Sequence, residues 1–242
     1  MDEPTIIHED ENFLIVNKPS GLLVHRVESA KNKTQEPTLA DWLAKRYPEL
    51  KTVGDDPANR PGIVHRLDRD VSGVMIVARN QEYFEYLKSL FQKRLVEKTY
   101  LALVFGDLKA KTGRIEKPIG IKSGTVKRSV TSDKMSKEAV TDYRVKRVFQ
   151  PDGGSERFSL LEVEPKTGRT HQIRVHLASI GHPIVGDALY GRRRGPSWAK
   201  RIMLHALSLE LPLMEGRRFK AEAEPPADYG NIIDFLSSKP RS

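Results

Sequence analysis

The residues whose types and spacing could do chemistry fall in two stretches. In the first, His65-Arg66-Leu67-Asp68-Arg69-Asp70-Val71-Ser72-Gly73, a carboxylate stands between two arginines and runs into Val74-Met75-Ile76-Val77-Ala78. That apolar, β-branched run reads as a buried strand. A carboxylate at the edge of a core is expensive unless cations or hydrogen-bond donors meet it, and an ion pair at a turn would satisfy Asp68. Asp70 lies two positions further on, ~6–7 Å along an extended chain, which also admits a carboxylate pair for glycoside hydrolysis. In the second stretch, residues 166–191, Thr170 reads as the cap of a helix that closes at Gly181, with Ile173, Leu177 and Ile180 on its buried face. Arg174 borders that stripe, where an arginine either reaches sideways to a partly buried carboxylate or snorkels to the surface. Lys166, Arg169 and the helix start would together form an anion site. His171 and His176 are five apart, ~140° around a helix, whereas shared metal ligation wants three or four, so no metal is expected.

His65-Arg66-Leu67-Asp68, followed after two free positions by Val71-Ser72-Gly73, resembles the active-site signature of the RluA-type RNA pseudouridine synthases. One departure is visible: Val71 stands where that family usually has Thr, keeping the β-branched shape and losing a hydroxyl. Asn17-Lys18-Pro19-Ser20-Gly21 resembles a second block. So do Lys98-Thr99-Tyr100-Leu101-Ala102, Thr167-Gly168-Arg169 through Arg174-Val175-His176-Leu177, Gly186-Asp187-Ala188-Leu189-Tyr190-Gly191, and Met203-Leu204-His205. The resemblance runs from about residue 5 to 225. It implies an α+β pseudouridine synthase fold: a bent, mainly antiparallel mixed sheet flanked by helices, with a basic active-site cleft. It also implies one catalytic domain over 1–242, with no S4 module and with loop-rich insertions at 28–61 and 107–137 that contact RNA.

By the same resemblance Asp68 is the nucleophile on the target uridine and Arg174 its basic partner, an arrangement that favours the ionised carboxylate. Tyr100 is the active-site tyrosine, and Leu204 the aliphatic residue that packs near both. Arg66 fills the space left when the nucleotide flips out of a structured rRNA or tRNA. Candidate RNA contacts are His65, Lys18, Lys166, Arg169, His171, Lys127 and Arg128. No cofactor is required, and a cytoplasmic monomer is expected. The competing readings are an RNA-binding or RNA-folding module without catalysis, and the glycosidase.

Charge supports a polyanionic partner: net +9 over 242 residues, with pI near 9.6. Residues 109–137 carry nine Lys/Arg against Glu116 and Asp133, and residues 192–201 hold Arg192, Arg193, Arg194, Lys200 and Arg201 with no acid. Together they read as phosphate contacts. The chain has no cysteine, which removes disulfides, thiolate nucleophiles and Cys-based zinc sites. It shows no secretory signal, and no apolar run nears the ~20 residues needed to span a bilayer.

The elements that must position these groups are legible in the spacing. Strands are expected at 5–9 and 13–16 around the turn Asp10-Glu11-Asn12, at 74–78, at 98–106, and as alternating runs at 143–149, 158–163 and 203–209. Asp152-Gly153-Gly154 reads as a hairpin turn. A helix over 39–47 starts at Pro37-Thr38 and stops at Pro48. A second is capped by Asn80 and buries Phe84, Leu87, Leu90, Phe91 and Leu95, and a third follows Pro225-Pro226 over 225–236. Between 107 and 142 the pattern gives loops and short edge strands.

Overall fold

The computed structural model describes residues 2–26, 36–122, 127–132, 134–151, 156–191 and 195–238. Two compact units emerge, one of Met1–Glu97 with Ala206–Glu224 and one of Lys98–His205 with Pro225–Ser242. Each has a mainly antiparallel sheet and helices, the α+β class that the family resemblance implies.

In the first unit the apolar run becomes β3, Ser72–Ala78, buried at every position. It pairs antiparallel with β2, Phe13–Lys18, from Phe13 opposite Ala78 to Lys18 opposite Gly73. β1, Thr5–Glu9, returns on β2 through an aspartate turn: Asp10 Oδ1 accepts the N–H groups of Asn12 and Phe13, each at 2.8 Å. The strand order is β1-β2-β3-β10-β11, with β10 at Leu204–Pro212, in this unit from Ala206 onward, and β11 at Arg218–Glu222.

Helix α1, Leu39–Arg46, opens with a capping box in which Thr38 and Asp41 exchange bonds, and it buries Leu39 and Leu43. Pro48 ends it, then opens a 3-10 turn of its own, Pro48–Thr52. Helix α2, Gln81–Gln92, is capped by the Asn80 side chain and buries Tyr83, Phe84, Leu87 and Leu90. Leu95 is a correction to the expected apolar face. The helix has ended, Arg94 turns the chain with φ +60°, and Leu95 is 48% exposed.

In the second unit β4, Glu97–Phe105, β9, Phe158–Pro165, β8, Val140–Phe149, and β5, Thr112–Glu116, follow the order β4-β9-β8-β5. The hairpin expected at 152–154 falls outside the described residues, but the strands flanking it pair antiparallel, with Phe149 opposite Phe158. β6, Gly120–Ile121, and β7, Arg128–Ser129, form a short separate ribbon. Helix α3, Gln172–Ser179, carries Arg174, and α4, Ala227–Ser238, follows the Pro-Pro pair. Thr170 does not cap α3. The N-cap is His171, in the left-handed region at φ +58° with no side-chain cap bond. Gly181 (φ +84°) follows the last turn, where a left-handed residue ends a helix.

Candidate active site

In the first unit Asp68 is half-buried, between the buried side chains of Leu67 and Val71, at the start of a turn that Val71 N–H closes onto the Asp68 carbonyl at 3.2 Å. Val71, the departure from the family signature, is thus a core residue. The turn is fastened to the loop after β2. Gly21 N–H donates to the Arg69 carbonyl at 2.9 Å, and Arg69 Nε donates back to the Gly21 carbonyl at 3.1 Å. Ser20 Oγ donates to the Asp70 carbonyl at 2.7 Å.

The strongest fastening is Lys18, whose Nζ donates to the carbonyls of Pro19 (2.8 Å), Leu22 (2.8 Å) and Arg69 (2.9 Å). Lys18 is fully buried, which corrects the expectation that it meets RNA as a surface cation. As the last residue of β2, opposite Gly73, it turns its ammonium inward, and the carbonyls replace lost hydration. His65 is half-buried: its Nε2 accepts the Ile76 N–H at 3.0 Å, and its ring stacks on Phe91 at 4.6 Å between centroids. Arg66 is exposed, and its Nη1 donates to His25 Nε2 at 3.5 Å. Asp70 is exposed.

In the second unit Tyr100 is half-buried on β4 opposite Val163. Lys98 lies two residues before it on the same face of the strand, and burial, helped by the positive charge of Lys166, lowers its ammonium below the ordinary lysine range. Leu204 is buried at the start of β10. On α3, Arg174 grips Asp187 with two parallel bonds, Nε to Oδ2 at 2.8 Å and Nη2 to Oδ1 at 2.9 Å. Its guanidinium carbon also lies 5.2 Å from the centre of the Tyr190 ring. Asp187 Oδ1 further accepts the N–H groups of Leu189 (2.9 Å) and Tyr190 (3.0 Å). Burial alone would push this carboxyl up, but Arg174 and the two amides outweigh it and hold Asp187 below the usual carboxylate range.

At the start of α3, Gln172 ties the loop before the helix to β8. Its Oε1 accepts from Thr167 Oγ1 (2.6 Å) and Arg169 N–H (3.0 Å), and its Nε2 donates to the Val140 carbonyl (2.9 Å) and Thr141 Oγ1 (3.0 Å). His176 is fully buried, with Nδ1 2.8 Å from Thr141 Oγ1 and Nε2 2.9 Å from the Lys117 carbonyl, and burial holds it below the ordinary histidine value. His171 Nδ1 lies 2.9 Å from the Tyr190 hydroxyl, which also accepts Arg128 N–H at 2.8 Å. Lys166 lies beside Glu164 (2.5 Å) and Asp142 (3.8 Å), so its charge is matched locally, while Arg169 is exposed and bonds the Glu138 carbonyl. Lys127 is exposed and Arg128 half-buried. Of the second basic cluster, Arg192, Arg193 and Arg194 lie outside the described residues, and Arg201 is engaged with Asp228 at 2.6 and 2.9 Å.

Sequence reasoning passed over Asp187, Tyr190, Gln172 and His25. The first two stand inside the Gly-Asp-x-x-Tyr-Gly motif, so the signal was on the page and only its physical content was missing. Among the described residues no three His, Asp or Glu side chains come together to hold a metal ion, and no helix is long and apolar enough to cross a membrane.

These clusters gather the motif residues that resemble RNA-modifying pseudouridine synthases, and comparison with known proteins shows the class. The family model of RNA pseudouridylate synthases matches residues 12–179. The ribosomal large subunit pseudouridine synthase D of Borreliella burgdorferi is 36% identical, over 96% of this chain and 68% of that protein. An uncharacterized RNA pseudouridine synthase of Chloroflexus aurantiacus is 40% identical over 92% of this chain and 66% of that protein. The solved structure of human RNA pseudouridylate synthase domain containing 1 superposes with a TM-score of 0.74 at 26% identity, covering 99% of this chain and 97% of that one. The chain belongs to the RNA pseudouridylate synthase family, whose reaction isomerises uridine in RNA to pseudouridine. Neither the glycosidase nor the silent RNA-binding module is favoured by these relatives.

Proposed function

We propose that this enzyme makes pseudouridine in ribosomal RNA of the large subunit, with Asp68 as its nucleophile. The observation that carries the reading is the turn at residue 68, whose carbonyls at 69 and 70 are fastened by Lys18, Ser20 and Gly21 so that one carboxylate has a fixed origin. The RNA assignment follows several relatives described as large-subunit enzymes.

The target nucleotide leaves its stack at a cost of a few kcal/mol, and Arg66 enters the space it vacates. Asp68 bonds to the anomeric carbon as the C1′–N1 bond breaks, and the freed uracil turns. C5 then bonds to C1′ as the carboxylate departs, C5 loses its proton and N1 gains one. Tyr100 stacks on the base or receives the C5 proton, Arg174 stands by the carboxylate, and Leu204 walls the site. Arg169, His171, Lys127 and Arg128 meet the RNA; the protein acts as a cytoplasmic monomer in one catalytic domain.

Pseudouridine mapping across total RNA from cells with and without this protein tests the assignment. The expected result is loss of one or more sites in large-subunit ribosomal RNA, restored by the wild-type protein. Sites lost only from transfer RNA, or none lost, would overturn it.

A further inference from the structure

His25 lies just beyond the loop that fastens the Asp68 turn, and no part of the reaction above uses it. It is half-buried, and its Nε2 receives the Arg66 Nη1 proton at 3.5 Å. Its other ring nitrogen, Nδ1, is buried and has no hydrogen-bond partner among the described residues. An imidazole that accepts at Nε2 must, when neutral, carry its proton on Nδ1. The buried ring therefore keeps the tautomer that leaves a donor unsatisfied, which is unfavourable by itself. The partner that selects this tautomer is Arg66.

The charges facing His25 are Arg66, Arg60 and Asp56. Burial first, then the two arginines, lower its pKa to about 4, against the opposing pull of Asp56. Near neutral pH the ring is thus a lone-pair acceptor for Arg66 rather than a third cation repelling it. Arg66 has no carboxylate at ion-pair distance among the described residues, so His25 is what defines where this exposed guanidinium rests.

We propose that His25 is a positioning residue for the reaction: it docks Arg66, two residues before Asp68, in the orientation from which the guanidinium enters the RNA stack. The inference rests on the role given to Arg66 above and adds the group that sets it. A long side chain left undocked must be ordered at each encounter, so losing the dock slows the step in which the nucleotide leaves its stack.

The test uses total RNA labelled with 5-tritiated uridine from cells lacking the protein, and reads tritium release in single turnover at saturating enzyme. His25→Phe keeps the ring and removes the acceptor, and should lower the rate about tenfold while RNA affinity by filter binding changes less than about threefold. His25→Gln restores a neutral acceptor and should recover most of the rate. Adding His25→Phe to Arg66→Ala should cost nothing beyond Arg66→Ala alone, since both remove one interaction. A merely structural role would reduce the thermal midpoint, multiply the two losses, and give no rescue by glutamine. If His25→Phe does not fold, His25→Ala, alone and combined with Arg66→Ala, takes its place in the same comparisons. A wild-type rate in His25→Phe, losses that multiply, or a slow His25→Gln overturns the proposal. Wild-type protein that releases no tritium from this RNA would instead overturn the reaction assigned to it.

Discussion

Around residue 68 the chain is held by main-chain acceptors: an ammonium on three carbonyls, a hydroxyl on a fourth, and a pair of reciprocal bonds between Gly21 and Arg69. Around residue 174 it is held by a carboxylate, Asp187, which takes a forked arginine and two amides. Carbonyls do not titrate, so the first arrangement keeps its geometry at any pH where Lys18 is charged. The second exists only while one acid is ionised. The first fixes a backbone from which a side chain projects; the second fixes the side chain itself. The proposed role of Asp68 as nucleophile asks for a fixed origin, which the first arrangement provides. The proposed role of Arg174 as a stationary cation asks for the fork of the second.

Removing either fastening should show this difference, and the largest effect lies beside Lys18. Gly73 has φ +123°, and a Cβ there would sit 2.2 Å from the Ala206 carbonyl oxygen on β10. Gly73→Ala should therefore cost more than about 3 kcal/mol in urea unfolding, because both strain and backbone collision must be relieved. Lys18→Met should follow, at about 2–4 kcal/mol, since it strands three buried carbonyl acceptors. A loss confined to catalysis, with unchanged stability, would mean that the lysine faces the substrate after all.

Asp187→Asn comes next, at about 2 kcal/mol at pH 7, and its effect should vanish in acid. The folded pKa of Asp187 lies below the unfolded value of 3.8, so its contribution is complete above that value and is lost as pH falls through the folded one. The asparagine variant should lack that part of the acid limb, and an identical limb in both proteins would contradict the fork. The smallest effect is that of His176. Its folded pKa lies below 6.5, so under pH 6.5 the unfolded chain takes up a proton that the folded chain refuses, and stability falls. His176→Asn should flatten the slope of unfolding free energy just below pH 6.5, whatever it does to the level.

Much of the frame was legible because apolar spacing and caps are local signals. The β-branched run at 74–78, the Thr38 start of α1 and the Asn80 cap of α2 all stand where the pattern put them. β11 was missed: Arg218–Glu222 has charges at both ends and pairs only because β10 is already there. Lys18 was misplaced at the surface because residue type reports polarity and not direction, and strand register sends it inward. The Thr170 cap failed because α3 starts one residue later, from His171 in the left-handed region, while Gln172 ties the loop before the helix to β8. Asp187 and Tyr190 were quoted as letters in a motif; only coordinates reveal that they hold Arg174.

The account turns on one carboxylate, and Asp68→Asn tests it most directly because the amide keeps the shape and removes the nucleophile. With tritiated total RNA from cells lacking the protein, the variant should release no tritium while binding that RNA within a few-fold of wild type. Tritium release at a rate near that of wild type would contradict the assignment of Asp68.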